Sequence, residues 1–487
     1  MKFKLMRPLK FLVLILSLTS LARFQHANAA LSSDELAKLG LDGTLLTPMG
    51  AIRAGNADGS IPAWNPKPLP KPTGYKAGDY PDPYANEKPL FTITAKNYTQ
   101  YQDKLLPGQI AMFKQYPDTF RMHVYPTHRT ATYDPWVYEA TLKQAKGAQM
   151  CPDQVSKGNN CLKEYIKGGG IPFPVPKNGD EASWNHFLAF KGTTLDVVTN
   201  AAMIDAMGNR TDVIATDRTL WAWWFKEKDL PQNQVFHSAG LAAYCDVQEI
   251  LLPPRSAGLI SGGCNYTEDW DFAAYLYVPG QRRVRKAPEV GSHDTPSFGS
   301  DGQRTVASRF MHFFGGRESR HTRKLIGRKE FFVPYNNFKL TQTNIGFDQI
   351  FGKKHVNQDL IRYELHRAWV VEANLKPNYR HLYKKHVYYM DEDTWEGLAY
   401  EAYDNSDRLW RIGEQYLVYY YDPKIVSIYG DSQIDLINGR YTTFGYWYRQ
   451  AAKSVGMYEP RISTDSSSIP FNPDLFTPQG LRKAGTR

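Results

Sequence analysis

A chain of 487 residues, 14% aromatic and 22% charged, is long enough for two ordinary domains or one large β architecture. Its +10 formal charge would be the argument for a polyanionic partner, but residues 1–29 hold Lys2, Lys4, Arg7, Lys10 and Arg23 and no acid, so 10 − 5 leaves +5 on the remaining 458 residues. That remainder is evenly mixed with acids and has no clustered basic face, which excludes nucleic acid as a partner.

The first segment reads as an export signal. Basic residues precede an almost unbroken apolar run from Phe11 to Ala22, and Ala27-Asn28-Ala29 supplies the small residues a signal peptidase selects. The run is shorter than the roughly 20 residues a stable transmembrane helix needs, so cleavage near Ala29 is favoured over a retained anchor. No cysteine lies near that cut, which closes the lipid-anchored route; the first is Cys151. The mature chain is expected to start near Ala30 and to be soluble. Outside a reducing cytosol its four cysteines can pair, and of the three connectivities proximity favours Cys151 with Cys161 and Cys245 with Cys264, as loop staples.

Residues 30–95 form an extended, proline-rich segment. Eight prolines between Ile61 and Pro89 forbid a helix interior or a central strand, while Trp64, Tyr75, Tyr80 and Tyr84 give apolar anchors that most linkers lack. Residues 96–487 read as one large β-rich domain with a helical section over about 96–192. Helices are expected over Thr94–Lys104, Gln109–Gln115, from Asp134-Pro135 to Lys146 with Asp134 as N-cap, and over Trp184–Phe190. Gly168-Gly169-Gly170 lacks the Gly-Lys-Ser/Thr ending of a phosphate loop and is a rigid turn.

From about Leu195 strands dominate. Asp196–Ala206 and Thr211–Trp224 flank Gly208-Asn209-Arg210, and Asp271–Pro279 meets Arg282–Pro288 across Gly280-Gln281. Further strands are expected at Lys324–Val333, Leu398–Tyr403, Leu409–Tyr421 and Arg440–Tyr448, with a helix over 306–314. In the block Arg362–Arg411, Tyr363, Leu365, Arg367, Trp369, Val371, Ala373 and Leu375 alternate with Glu364, His366, Glu372 and Asn374. This is a strand with one dry and one wet face, turning at Pro377-Asn378 and returning to Met390. Many antiparallel strands joined by short turns give a mainly β (α+β) fold, a large curved antiparallel sheet or incomplete barrel with covering helices.

Candidate ligand residues lie on these strands. Trp221, Trp223, Trp224, Tyr275, Tyr277, Trp369, Tyr388, Tyr389, Tyr419 and Tyr421 could line an apolar groove or simply fill a core. Arg283 and Arg285 share a strand face and could hold a phosphate or carboxylate head group, or guard a sheet edge. Arg367 interrupts an apolar face and must find a carboxylate, carbonyl, head group or water. Tyr275, Tyr277, Arg283, Arg285, Arg367 and Trp369 are therefore the candidate ligand-binding set.

Catalytic and metal chemistry find less support. His366, His381 and His386 with Asp391, Glu392 and Asp393 suggest a metal or acid/base site, but His381 and His386 point to opposite sides of a regular strand, and the acids read as a solvated turn. Ser261 and Ser300 do not match a nucleophile elbow. No metal, cofactor or catalytic residue is expected.

Taken together, Leu46-Thr47-Pro48, Gly55–Trp64, Tyr277–Pro288, Gly327–Asn336 and the Arg362–Arg411 block resemble the bacterial domain-of-unknown-function family 1329, over essentially the whole mature chain. The resemblance implies a periplasmic protein with a sheet like that of the lipoprotein carriers LolA and LolB, an incomplete barrel that accepts lipid chains. It also implies work beside an outer-membrane barrel protein and an inner-membrane exporter of the resistance-nodulation-division type. The function expected is a soluble periplasmic carrier or adaptor for a hydrophobic or lipid-like ligand, not an enzyme. A periplasmic hydrolase and a scaffold without ligand are the alternatives.

Overall fold

The computed structural model describes residues 31–151, 161–230, 234–237, 240–268, 273–286, 300, 304, 320–447 and 461–486. The leader-like residues 1–29 and the helix expected over 306–314 lie outside them. The strands are β1 (Phe91–Thr94), β2 (Arg121–Val124), β3 (Gln149–Met150), β4 (Leu162–Glu164), β5 (Thr194–Ile204), β6 (Arg210–Leu220), β7 (Ala242–Leu252), β8 (Ile260–Tyr266) and β9 (Ala273–Val278). They continue with β10 (Arg283–Lys286), β11 (His321–Pro334), β12 (Tyr363–Leu375), β13 (Lys385–Asp391), β14 (Gly397–Tyr403), β15 (Leu409–Tyr420), β16 (Ile425–Asp435), β17 (Tyr441–Trp447) and β18 (Arg461–Ser463). The longer helices of the first half are α2 (Pro107–Gln115), α3 (Pro135–Gln144) and α4 (Gly179–Phe187), after a single turn α1 (Ser33–Leu36).

Sixteen strands make one sheet, in the order β1-β2-β12-β13-β14-β15-β16-β17-β5-β6-β7-β8-β9-β10, with β11 on β12 and β18 on β5; β3 and β4 form a separate ribbon. The path does not return on itself, so this is an open sheet and no closed barrel. It is also mixed, because β2 runs parallel to β12 at Tyr363↔Val124 while the other pairs are antiparallel. The parallel contact has a simple cause. β13 pairs with β12 only over Ala368–Asn374, and the edge it leaves open is taken by Tyr125 N–H donating to Tyr363 O at 2.9 Å.

Local chemistry sets the turns. Between β5 and β6, Asp205 Oδ1 accepts the Met207 and Asn209 N–H groups at 2.8 and 2.9 Å, and Gly208 takes φ +91°. Asn378 at φ +68° reverses the chain between β12 and β13, as the Pro377-Asn378 reading expects. Asp134 precedes α3 with Pro135 at its first turn, but its carboxylate binds Lys424 at 3.0 Å and does not cap the helix.

Two expectations are corrected here. The expected wet face of β12 is dry over its first half: Glu364 and His366 are buried, with the Glu364 charge paired in place, while Glu372 and Asn374 are half-exposed. The Glu364 carboxylate accepts from Arg362 Nε, from His366 Nε2 at 3.1 Å and from His128 N–H at 2.8 Å. The second concerns the disulfides. Both expected pairs form, but Cys245 and Cys264 are direct cross-strand partners on β7 and β8, so this bond ties two strands together and does not staple a loop.

The aromatic residues mostly fill the core. Trp221, Trp223, Trp224, Trp369, Tyr388, Tyr389, Tyr419 and Tyr421 are buried, each large side chain contributing on the order of 2–3 kcal/mol of apolar burial. The segment before β1 belongs to the same core. Met49, Ile61 and Trp64 are buried in it, and Trp64 Nε1 donates to Ala131 O at 3.0 Å. Further on, Tyr84 stacks flat on His128 with centroids 4.0 Å apart, and Tyr75 Oη donates to Asp422 at 2.6 Å.

Candidate functional site

α2 lies across the sheet face formed by β14, β15 and β16. Pro107 at its first turn needs no N–H partner there, but Leu106 at the cap position has no side-chain acceptor to offer the following amides. The sheet supplies one: Gly108 N–H donates to Glu401 Oε1 at 2.7 Å. Gln109 closes the turn by accepting from Leu106 N–H at 3.1 Å, and its Nε2 donates to Phe332 O and to Glu414 Oε1, both at 2.9 Å. The contact is close, since a Cβ on Gly108 would meet Ile412 Cγ2 at 2.8 Å.

Between helix and sheet runs an apolar crevice walled by Leu106, Met112, Phe120, Val356, Ile412 and Ile434, with Tyr400 and Tyr416. Its free volume is about 20 Å³, room for a water or two but not for an acyl chain. Glu401 and Glu414 are the acidic residues of its wall, beside Gln109, His355, Gln358 and Ser432. Burial raises the pKa of both carboxyls, against hydrogen bonds that lower it: Gly108 N–H, Tyr403 Oη at 2.9 Å and Tyr389 Oη at 3.3 Å on Glu401, and Gln109 and Tyr363 Oη on Glu414. No sequence pattern marked this pair, because each sits in an ordinary alternating strand.

Arg367 has an internal set of partners. Its Nη1 donates to Glu392 Oε1 at 2.9 Å and its Nη2 to Ala54 O at 3.1 Å. Arg129 binds Asp393 through Nε at 2.9 Å and Nη2 at 2.7 Å, and Ile52 O at 2.9 Å, while Arg328 donates to Gly50 O. Asp391, Glu392 and Asp393, expected as a solvated turn, are all buried. The reason is that three guanidinium groups and the chain around residues 49–54 close over them: Ile52 N–H donates to Glu392 at 3.1 Å and Trp395 Nε1 to Met49 O at 2.8 Å. Trp395, at φ +64°, stacks on Trp369 at 5.5 Å, and the Arg328 guanidinium lies 4.1 Å over the Trp369 ring.

The remaining candidates are elsewhere. Arg283 and Arg285 are exposed on β10, paired with Val278 and Leu276 of β9. Tyr275 is half-buried, and Tyr277 is buried with its Oη donating to Gly485 O at 2.8 Å in the C-terminal helix Pro478–Gly485. β12 stands near one end of the sheet order and β9–β10 at the other, so the fold does not bring the six candidates into one site.

The histidines do come together, contrary to the expected face assignment. That assignment assumed one regular strand through His381 and His386, but β13 begins at Lys385 and His381 lies in the connection before it. His321, His381 and His386 place one ring nitrogen each within 4.8 Å of one another, all buried. His366 is not among them; it stacks on Tyr335 at 3.9 Å.

The family model described as "Protein of unknown function (DUF1329)" matches residues 92–482. The chain is 39% identical over 479 residues to "Uncharacterized protein PA3922" of Pseudomonas aeruginosa, covering 97% of this chain and 98% of that one. Among solved structures it is similar to a putative outer membrane lipoprotein-sorting protein domain from Vibrio parahaemolyticus, with 12% identity, TM-score 0.39 and coverage of 62% and 97%. A DUF1329 family protein from Desulfovibrio piger gives 13%, 0.39, 62% and 96%, and a LolA superfamily protein from Nitrosomonas europaea gives 8%, 0.33, 60% and 93%. With four-fifths of its length under the family model and a full-length relative at 39% identity, the chain belongs to the DUF1329 family.

Proposed function

We propose that this protein is a periplasmic carrier that binds a hydrophobic, lipid-like ligand between α2 and the β14–β16 face. The observation that carries the reading is the crevice itself: apolar walls, closed to about 20 Å³, under a nine-residue helix held at its first turn by two buried carboxyls. Such a helix can lift without unpairing any strand, which would open an apolar face of ligand size. The leader-like first 29 residues support export, and no helix among the described residues is long and apolar enough to cross a membrane. In this reading an outer-membrane barrel and a resistance-nodulation-division exporter are the membrane partners, and the protein binds without catalysing.

Native mass spectrometry and solvent extraction of protein purified without detergent from its own periplasm test the proposal. A stoichiometric hydrophobic compound is the expected result. An empty protein held firmly to an envelope partner, or turnover of an ester or glycan panel, would overturn it in favour of a scaffold or a hydrolase.

A further inference from the structure

We infer that His321, His381 and His386 form a binding site for one divalent transition-metal ion of the zinc and cobalt class. This inference does not depend on the carrier reading. The three come from separate stretches of chain that β12 gathers: His321 on β11 pairs with Leu375, and His386 on β13 pairs with Ala373. Leu375 and Ala373 are two apart on one strand, so the two imidazoles flank β12 on the same face. His381 folds over from the connection before β13, with its ring centroid 4.9 Å from His321 and 5.9 Å from His386.

Imidazole nitrogens are donors for exactly this class of ion, and three of them with an open fourth position are a known zinc arrangement. The nitrogens lie within 4.8 Å of one another, and zinc–nitrogen bonds of about 2.05 Å in a tetrahedron bring ligand atoms to roughly 3.3 Å, so loading closes the cluster by at most about 1.5 Å. One residue, Tyr383, orients two of the rings through its backbone. His321 Nε2 donates to Tyr383 O at 3.0 Å, which puts its lone pair on Nδ1, the orientation that metal-bound histidines use. Tyr383 N–H donates to His381 Nδ1 at 3.0 Å, so ligation by that nitrogen exchanges a backbone hydrogen bond for the metal. His381 is thus the ligand that moves. It also lines an open surface pocket with Arg320, Arg380, Asp404, Asn405 and Trp410, which gives an ion a route in.

Two cationic side chains lie near the cluster. Arg323 acts on His386 but is paired with Asp180 at 2.8 Å, and Arg411 donates to Tyr383 Oη at 2.6 Å. They favour an anionic fourth ligand, hydroxide or chloride, that reduces the net charge of the bound ion.

Untagged, chelator-stripped protein titrated with Co2+ is the test. The expected result is one equivalent bound, with the intense visible bands of tetrahedral cobalt, displaced by Zn2+. His381→Gln and His386→Gln should each weaken binding more than about a hundredfold, beyond the roughly 10–100-fold that loss of a partner merely orienting a ligand costs, while His123→Gln, a half-buried control paired with Asp359, leaves it unchanged. Thermal unfolding of the metal-free variants establishes that they are folded; should His386→Gln not fold, His381→Gln in the connection decides alone. Absence of stoichiometric binding to the wild-type protein, or binding that survives loss of His381, would overturn the site.

Discussion

Arg367 sits where three guanidinium groups meet three carboxyls, and the balance among them is not even. Glu392 answers to Arg367 at 2.9 Å and to Arg129 at 3.5 Å, and Asp393 takes both arms of Arg129. Asp391 has Thr394 Oγ1 at 2.7 Å and Tyr335 Oη at 3.2 Å as partners. Burial first, and the neighbouring Asp393 charge second, push its pKa up to about 7. An unfolded aspartate titrates near about 3.9, so between about pH 4 and pH 7 the folded chain holds a proton that the unfolded chain has released. Stability from this group therefore falls as pH rises through that window and is level above it, by at most ~1.4 kcal/mol per pH unit for one proton. Asp391→Asn keeps an acceptor for Thr394 and removes the titration. Urea midpoints measured from pH 5 to pH 8 should show the variant gaining on the wild type up to about pH 7; a constant difference across the range would mean that Asp391 does not titrate there. The sequence made Arg367 conspicuous, as a charge on an apolar stripe. Its partners were not legible, because Glu392 is 25 residues away and Ala54 is 313, and only the fold joins them.

At the scale of elements, alternation was a good guide to strands and a poor guide to faces. β5–β6, β9–β10 and β12–β13 are readable from turn chemistry and period-two patterning, whereas β7, β8 and β16 escape because polar and apolar residues follow one another in them without a regular period of two. The crevice was hidden too: nothing in Gly397–Tyr403 distinguishes Glu401 from a surface acid until α2 is laid over it. The helix itself offers the sharpest element-level experiment. Gln109→Ala removes the side-chain bonds to Phe332 O and Glu414 and the reach-back to Leu106 N–H, and leaves Glu414 with Tyr363 alone among its named partners. A loss of about 1–3 kcal/mol confined to α2 is expected. Hydrogen exchange should quicken across Pro107–Gln115 while β14–β16 keep their protection. Equal quickening of helix and strands would show that α2 is an integral part of the sheet's cooperative unit, and the carrier reading would lose its moving part.

On the scale of the whole molecule the question is what holds an open sheet of sixteen strands in one shape, given that it has no barrel closure to do so. Topology supplies part of the answer: β17 pairs with β5 at Tyr441↔Ile204, so the late strands β12–β17 and the early strands β5–β10 become one surface, a join that no local pattern announces. The N-terminal segment supplies another part. Prolines keep it out of the sheet, yet it carries Met49, Ile61 and Trp64 into the core and offers the carbonyls of Gly50, Ile52 and Ala54 to Arg328, Arg129 and Arg367. Those arginines are the counter-charges of Glu392 and Asp393, so the segment is bound to the buried acids through them. Removing it would expose apolar surface and take the Gly50, Ile52 and Ala54 carbonyls from the three arginines, each buried donor left unsatisfied costing on the order of 1–3 kcal/mol. That sum is comparable with the whole stability of a typical domain, about 5–15 kcal/mol. Protein lacking residues 31–65 should therefore fail to accumulate in folded form, as size-exclusion chromatography and circular dichroism would report. A truncated protein that folds and melts like the full chain would reduce the segment to a surface linker, and would require the three arginines to find water or new partners in its place.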